Sequence, residues 1–261
     1  MQNNPAQNAP EIILPMERLD QVLFNMDTLH IKDSLLGMNT RYPFISEVLL
    51  QQMLAIDSNN SETALLSFLN AYRPIFTAVQ KINAPASAHP QLQALFKNIH
   101  YYFPAYLLPK KIIYFIGPID GFGNSIGSDY IAVGLQMFLG DTSTWYQSEQ
   151  FQKYFPSYIS RNFTPRFIPI TAAKNLIQDI VPNSRVTRGL IIEMIEMGKR
   201  QFILKKVLPE ANDADLFGYS ASQFAATMKA EQDIWSYLLK MNLIFIVLKL
   251  VPMENPMVNK V

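Results

Sequence analysis

Apolar residues change their period once along this chain, and that change limits the folds open to it. Before the change they recur at helical spacing. Phe44, Val48, Leu49 and Met53 share one helix face; Leu65, Phe68, Leu69, Tyr72, Phe76 and Val79 share another, with Pro74 expected to kink or split that helix. A third helix is expected over Pro90 to Tyr102, with Leu92, Leu95, Phe96 and Ile99 inward, ending near Pro104. Lys111 to Ile116 is then a short, continuous apolar run closed by Gly117-Pro118, and Tyr130 to Val133 is a second one. Together they read as a small antiparallel unit, with Gly121 to Gly127 as its hairpin loop.

Helical spacing returns at Thr164-Pro165 or Pro169, runs through Leu176 and Ile180, and resumes from Thr187 to Val207. Ser220-Ala-Ser-Gln223 matches a capping box, in which the serine hydroxyl accepts from a first-turn amide and the glutamine returns the bond, so one helix is expected from Ala221 to about Lys240. The fold class is α+β, predominantly helical with a small antiparallel sheet. A chain of 261 residues, 49% of them hydrophobic, can close a full core, because a domain of this length buries roughly 75% of its unfolded surface. Met1 to Pro15, rich in Asn, Gln and Pro, reads as a disordered tether. Residues 16–261 read as one globular domain, with a helical part over 16–108 and the sheet and C-terminal helices over 109–261.

Composition removes several classes of function. With 22 basic against 21 acidic residues and no blocks of one sign, nothing steers nucleic acid to the chain. The absence of cysteine removes disulfides, thiolate catalysis and cysteine metal sites from this sequence. Leu243 to Val251 is apolar but far shorter than the ~20 residues of a membrane span, and Met1 to Pro10 is too polar for a signal peptide.

The three histidines, His30, His89 and His100, lie far apart, with no His-Glu-x-x-His to set two imidazoles one turn apart around a base. His100 reads as a core histidine. Gly121 to Gly127 lacks the Lys-Ser/Thr of a phosphate loop, and no Gly-x-Ser-x-Gly elbow occurs. The remaining chemistry-bearing stretch is Leu190 to Gln201, which carries Glu193, Glu196, Gly198, Lys199 and Arg200. Glu196 and Arg200 stand four apart, where a surface pair adds ~0.3 kcal/mol. Glu193, between Ile192 and Met194, is expected to be partly buried and in need of a partner. Tyr219 and Trp235 read as core aromatics. No residue is assigned as catalytic or as a metal ligand, and no cofactor is expected; Glu193, Glu196, Gly198 and Lys199 form a candidate functional helix.

Several short motifs recur in a fixed order: Arg18-Leu-Asp-x-x-Leu-Phe24, Arg41-Tyr-Pro-Phe44, Tyr101-Tyr-Phe-Pro104, Ile131-Ala-Val-Gly-Leu-Gln-Met-Phe-Leu-Gly140, Arg161-x-Phe163-Thr-Pro165 and the stretch Leu190 to Trp235. In that order they resemble the gliding motility lipoprotein B family of Bacteroidetes. The resemblance implies a lipid-anchored, periplasm-facing envelope protein that acts with the type IX secretion apparatus through protein contacts. Its membrane link would be an N-terminal anchor on a cysteine that precedes this chain. It also implies a distant likeness to zinc peptidases, with Lys174-Asn-Leu-Ile-Gln178 in the place of their His-Glu-x-x-His, and hence an inactive peptidase-like scaffold. Gln136 stands where the family usually has aspartate, and Met197 where it usually has glutamate. Met241 to Val261 turns apolar where the family continues with tyrosine- and glycine-rich segments. A residual hydrolase using Glu193 and Glu196, and a periplasmic structural or ligand-binding protein, are the alternative readings.

Overall fold

The computed structural model describes residues 5–56, 61–119, 123–182 and 189–241. A 3-10 turn at Pro5–Asn8 precedes β1 (Met16–Arg18), α1 (Leu19–Phe24), α2 (Ile31–Arg41), a π-helix over Phe44–Met53, α3 (Ser61–Ile82) and α4 (Ala84–Tyr102). Then come β2 (Lys111–Phe115), β3 (Asn124–Ile126), β4 (Tyr130–Gly134), α5 (Glu149–Tyr154), α6 (Ser157–Ser160), α7 (Ile168–Ile180), α8 (Leu190–Val207), α9 (Asp213–Phe217), α10 (Ala221–Lys229) and α11 (Glu231–Lys240). The class is α+β and mostly helical, as the periodicity predicts. The chain separates into two compact units, Met1–Leu176 with Val207–Pro209, and Ile177–Lys206 with Glu210–Val261. This division differs from the single domain read from the sequence, and it cuts through α7, which no break in the apolar pattern marks.

The sheet of the first unit is mixed, in the order β1-β2-β4-β3, and this corrects the antiparallel unit. β2 runs parallel to both β1 and β4, and only β3 is antiparallel to β4. The reason lies in the glycine-rich segment expected to be a plain hairpin loop. Asn124 to Ile126 within it forms an edge strand of its own, and the reversal falls between β3 and β4, where the Gly127 amide donates to the Tyr130 carbonyl at 2.9 Å. β2 and β4 are therefore central strands buried on both faces: Ile112, Tyr114, Ile131 and Val133 are fully inside, and so are Ile113, Phe115 and Ala132. Continuous apolar runs are what such strands require. Phe44 of the π-helix closes one face, edge-on to Phe115 at 5.1 Å and to Tyr130 at 5.3 Å.

The N-terminal stretch is docked from Pro5 onward, against the expectation of a disordered tether. Ala6 and Leu14 are buried, and Lys97 on α4 donates to the Gln7 carbonyl at 2.9 Å while pairing with Glu11 at 2.8 Å. The Pro15 carbonyl accepts from the Ile112 amide at 2.9 Å, which starts β1 on the sheet edge. Two buried apolar anchors and a lysine clamp offset the entropy that composition alone leaves uncompensated.

α3 runs through Pro74 without a break, because Leu65, Phe68, Leu69, Ile75, Phe76 and Val79 bury one continuous stripe that outweighs the lost backbone bond. α4 starts earlier than Pro90, behind Asn83 in the left-handed region (φ 51°), a conformation that asparagine tolerates. In the second unit the capping box forms as expected, with Gln223 N donating to Ser220 Oγ at 3.2 Å and Ser220 N to Gln223 Oε1 at 3.0 Å. The single helix expected after it is two, broken at Ala230 (φ −90°, ψ 8°). Glu231 and Asp233 favour a new N-terminus there, where their charges meet the positive end of the helix dipole.

Candidate functional site

The charged helix singled out in the sequence is α8, and its residues separate into different environments. Leu204 and Val207 are buried and Arg200 is half-buried. Arg200 Nε donates to the Val181 carbonyl at 3.1 Å, closing the C-terminal end of the preceding helix with a cation. Glu196 lies partly inward, its side chain 19% exposed, and pairs with Lys199 Nζ at 2.9 Å. Glu193 lies in the first turn of α8 and is exposed, against the partial burial expected from its apolar neighbours. Ile192 and Met194 are half-buried and Ile195 and Met197 more than half exposed, so the apolar neighbours in sequence do not enclose the carboxylate. Gly198 is exposed, and a Cβ built on it meets nothing within 4 Å. The structure thus joins Glu196 to Lys199 and leaves Glu193 apart from them.

Three further expectations change. His100 is exposed at the end of α4 and is no core histidine. Tyr219 and Trp235 are 39% and 42% exposed, so neither is a core aromatic. Tyr219 lies in the turn before α10 and Trp235 on α11, and the apolar spacing around each does not distinguish a buried face from an exposed one.

In the first unit, Lys174 to Leu176 lie on α7 at the sheet edge. Asn175 Nδ2 donates to the Asn124 carbonyl on β3 at 3.2 Å, so this side chain covers the outer edge of the sheet. The Asn124 side-chain amide is itself buried with no partner at either end, and Ser125 Oγ is likewise unpaired. Lys174 keeps much of its surface in solvent, yet the protein around its ammonium lowers its pKa by desolvation. Gln178 is exposed. Among the described residues no three His, Asp or Glu side chains converge as metal ligands, and no helix is long and apolar enough to cross a membrane.

The motif residues serve mainly as core. Arg18 grips Asp20 with two bonds, Nε at 2.8 Å and Nη2 at 2.6 Å, and Gln80 Nε2 adds a third at 3.1 Å, so a fully buried carboxylate is neutralised and hydrogen-bonded. Leu19, Leu23 and Phe24 bury the rest of that motif, and the Phe24 ring stacks on Phe76 at 4.9 Å. Ile131 to Leu139 is buried without interruption. Within it, Gln136 Oε1 accepts from the Gly117 amide at 3.0 Å while Nε2 donates to the Pro118 carbonyl at 3.3 Å. A carboxylate at this position could accept the first bond but could not donate the second. Tyr146, which the sequence did not single out, donates from its hydroxyl to the Gln136 carbonyl at 2.7 Å and accepts from the Leu139 amide at 2.9 Å. Its ring packs against Phe151 and Phe163, and the Phe163 carbonyl holds the Gly140 amide at 2.9 Å. The motifs following β4 and preceding α7 are thereby one packed assembly.

No curated protein and no solved structure matches the chain. The sequence pattern of the family described as gliding motility protein GldB matches residues 2–248. That span takes in every motif above and reaches into the stretch 241–261, most of which lies outside the described residues. A match over nearly the whole length settles the relationship: the chain belongs to the gliding motility protein GldB family.

Proposed function

We propose that this gliding motility protein works without catalysis, as an accessory component of gliding and type IX secretion that acts through protein contacts. In this reading it is held to the envelope by an N-terminal lipid anchor and faces the periplasm. One observation carries the proposal: Asn175 is spent on the Asn124 carbonyl at 3.2 Å. On the peptidase analogy that position belongs to the general base, and here a neutral amide braces the sheet edge. Lys174 and Gln178 flank it with an ammonium and an amide, neither of which replaces an imidazole ligand. The carboxylates of α8 support the same reading, because Glu196 is engaged with Lys199 and Glu193 stands in solvent at a helix N-terminus, a usual place for structural acid. The family name supports the link to motility and to a lipoprotein.

The test is complementation of a gene-deletion strain. Deletion should abolish both colony spreading and secretion of type IX cargo, and the Glu193→Gln and Glu196→Gln variants should restore both. Loss of spreading in a stably expressed Glu193→Gln protein, together with loss of a hydrolytic activity of the purified parent, would overturn the non-catalytic reading. Normal spreading and secretion in the deletion strain would overturn the accessory role.

A further inference from the structure

The sheet ends in two edge strands, β1 and β3, and their outer edges differ. On β3 the Asn124 carbonyl is capped by Asn175 Nδ2 at 3.2 Å. On β1 the Pro15 carbonyl accepts from the Ile112 amide at 2.9 Å and Met16 stands opposite Ile112. In a parallel ladder of that register Glu17 turns its amide and carbonyl toward β2, while Met16 turns both away from it. The Arg18 amide points the same way as that of Met16. Among the described residues nothing bonds to the Met16 amide or carbonyl, and the Met16 side chain is 41% exposed. Charged side chains and proline are the common guards of such an edge. Here Glu17 is held by Lys111 at 3.2 Å and Arg18 by Asp20 at 2.6 Å, so neither charge stands over the edge. Pro15 lacks its donor on the side of β2, because its backbone groups alternate with those of Met16.

We propose that the outer edge of β1 pairs antiparallel with β1 of a second copy of the chain, about a two-fold axis at Met16, joining the two sheets into one. Each Met16 donates to and accepts from the Met16 of the other copy, so one residue satisfies both of its own outward groups, as an isologous contact requires. The Arg18 amide then meets the Leu14 carbonyl of the other copy, since Leu14 precedes proline and is held extended. Glu17 comes opposite Pro15 of the other copy and keeps Lys111 as its counter-ion, so no bare like charges meet. The edge is short, because α1 begins at Leu19. A disordered peptide would lose most of the gain from so few bonds to the ordering of its own backbone, whereas β1 of a second copy is already in place.

The test is sedimentation velocity on the full 261-residue chain over a concentration series. The parent should dimerise reversibly. Met16→Pro deletes a donor that the fold itself does not use, so circular dichroism and urea stability should stay those of the parent. The dimer should nonetheless weaken about thirtyfold, the equivalent of two lost backbone bonds. Met16→Ile keeps the amide and should keep the dimer. Because the chain has no cysteine, Met16→Cys supplies a second readout that does not depend on the proline variant. Directly opposed residues in this pairing have Cα atoms about 5.5 Å apart, within disulfide reach, so mild oxidation should link two copies. Gln91→Cys, exposed on α4, should not link. A parent that stays monomeric overturns the proposal. So does a dimer that a folded Met16→Pro chain leaves intact, or a Met16→Cys chain that is linked no faster than Gln91→Cys.

Discussion

Gln136 spans the turn that follows β2, accepting from the Gly117 amide at 3.0 Å and donating to the Pro118 carbonyl at 3.3 Å, with no exposed surface of its own. A neutral amide is matched to this task, because it carries an acceptor and a donor on one planar group. Gln136→Leu leaves the buried Gly117 amide without this acceptor and the half-buried Pro118 carbonyl without this donor, and should destabilise the protein by about 1–3 kcal/mol. Gln136→Glu should cost at least as much, since it adds a buried charge facing the Pro118 carbonyl. Urea unfolding of the two variants checks both; a loss below 1 kcal/mol in each would show that the clamp is dispensable.

Arg18 and Asp20 form the buried counterpart of that clamp, with the Asp20 side chain wholly inside and Arg18 22% exposed. Arg18→Met strands a buried carboxylate and should cost about 3–5 kcal/mol, whereas replacing both residues by apolar ones should cost clearly less than the single change. A double-mutant cycle by chemical denaturation reads the difference directly.

Burial raises the pKa of the Tyr114 and Tyr146 phenols above the ordinary value of 10.0. A folded-state pKa above the unfolded one means that the folded protein holds its proton longer. The associated stability is complete below pH 10 and falls as pH rises beyond it. Ultraviolet titration should therefore show two tyrosines that ionise only as the protein unfolds, in step with loss of helical dichroism. All twelve tyrosines ionising near pH 10 in a folded protein would contradict the packing described around these two.

Gly198 occupies the middle of α8 with open space where a Cβ would go. Gly198→Ala should stabilise the helix by about 0.5–1 kcal/mol, because no contact is lost and the unfolded chain becomes less flexible. If a partner approaches the bare backbone at this point, the more stable variant should nonetheless restore spreading poorly. Melting temperature and complementation, measured on the same variant, separate these effects.

Helix positions were legible because a buried stripe writes its period into the sequence, as in α3 and in the capping box before α10. Strand direction was not. The run Lys111 to Ile116 and its partner Tyr130 to Val133 are continuous rather than alternating, the mark of central strands covered on both faces, and reading that mark would have favoured parallel pairing. β1 has three residues and a single apolar side chain, so it carries no pattern; it exists because Pro15 presents a carbonyl to Ile112. At the candidate site, Glu193 was misplaced because apolar neighbours in sequence lie around the helix rather than around the carboxylate. The bracing role of Asn175 left no trace in the sequence, since it depends on a strand about fifty residues away.

The docked N-terminal stretch determines where tension would enter the molecule. A chain pulled from its first residues first loads the Lys97 clamp, through the Gln7 carbonyl and Glu11, and then β1. β1 lies parallel to β2 and alongside it from Met16 to Arg18, so a pull along the strand strains its ladder in shear, with the bonds sharing the force rather than opening in turn. The segment expected to be a slack leash is thereby a stiff mechanical coupling, joining the chain from Pro5 onward to the buried strand β2.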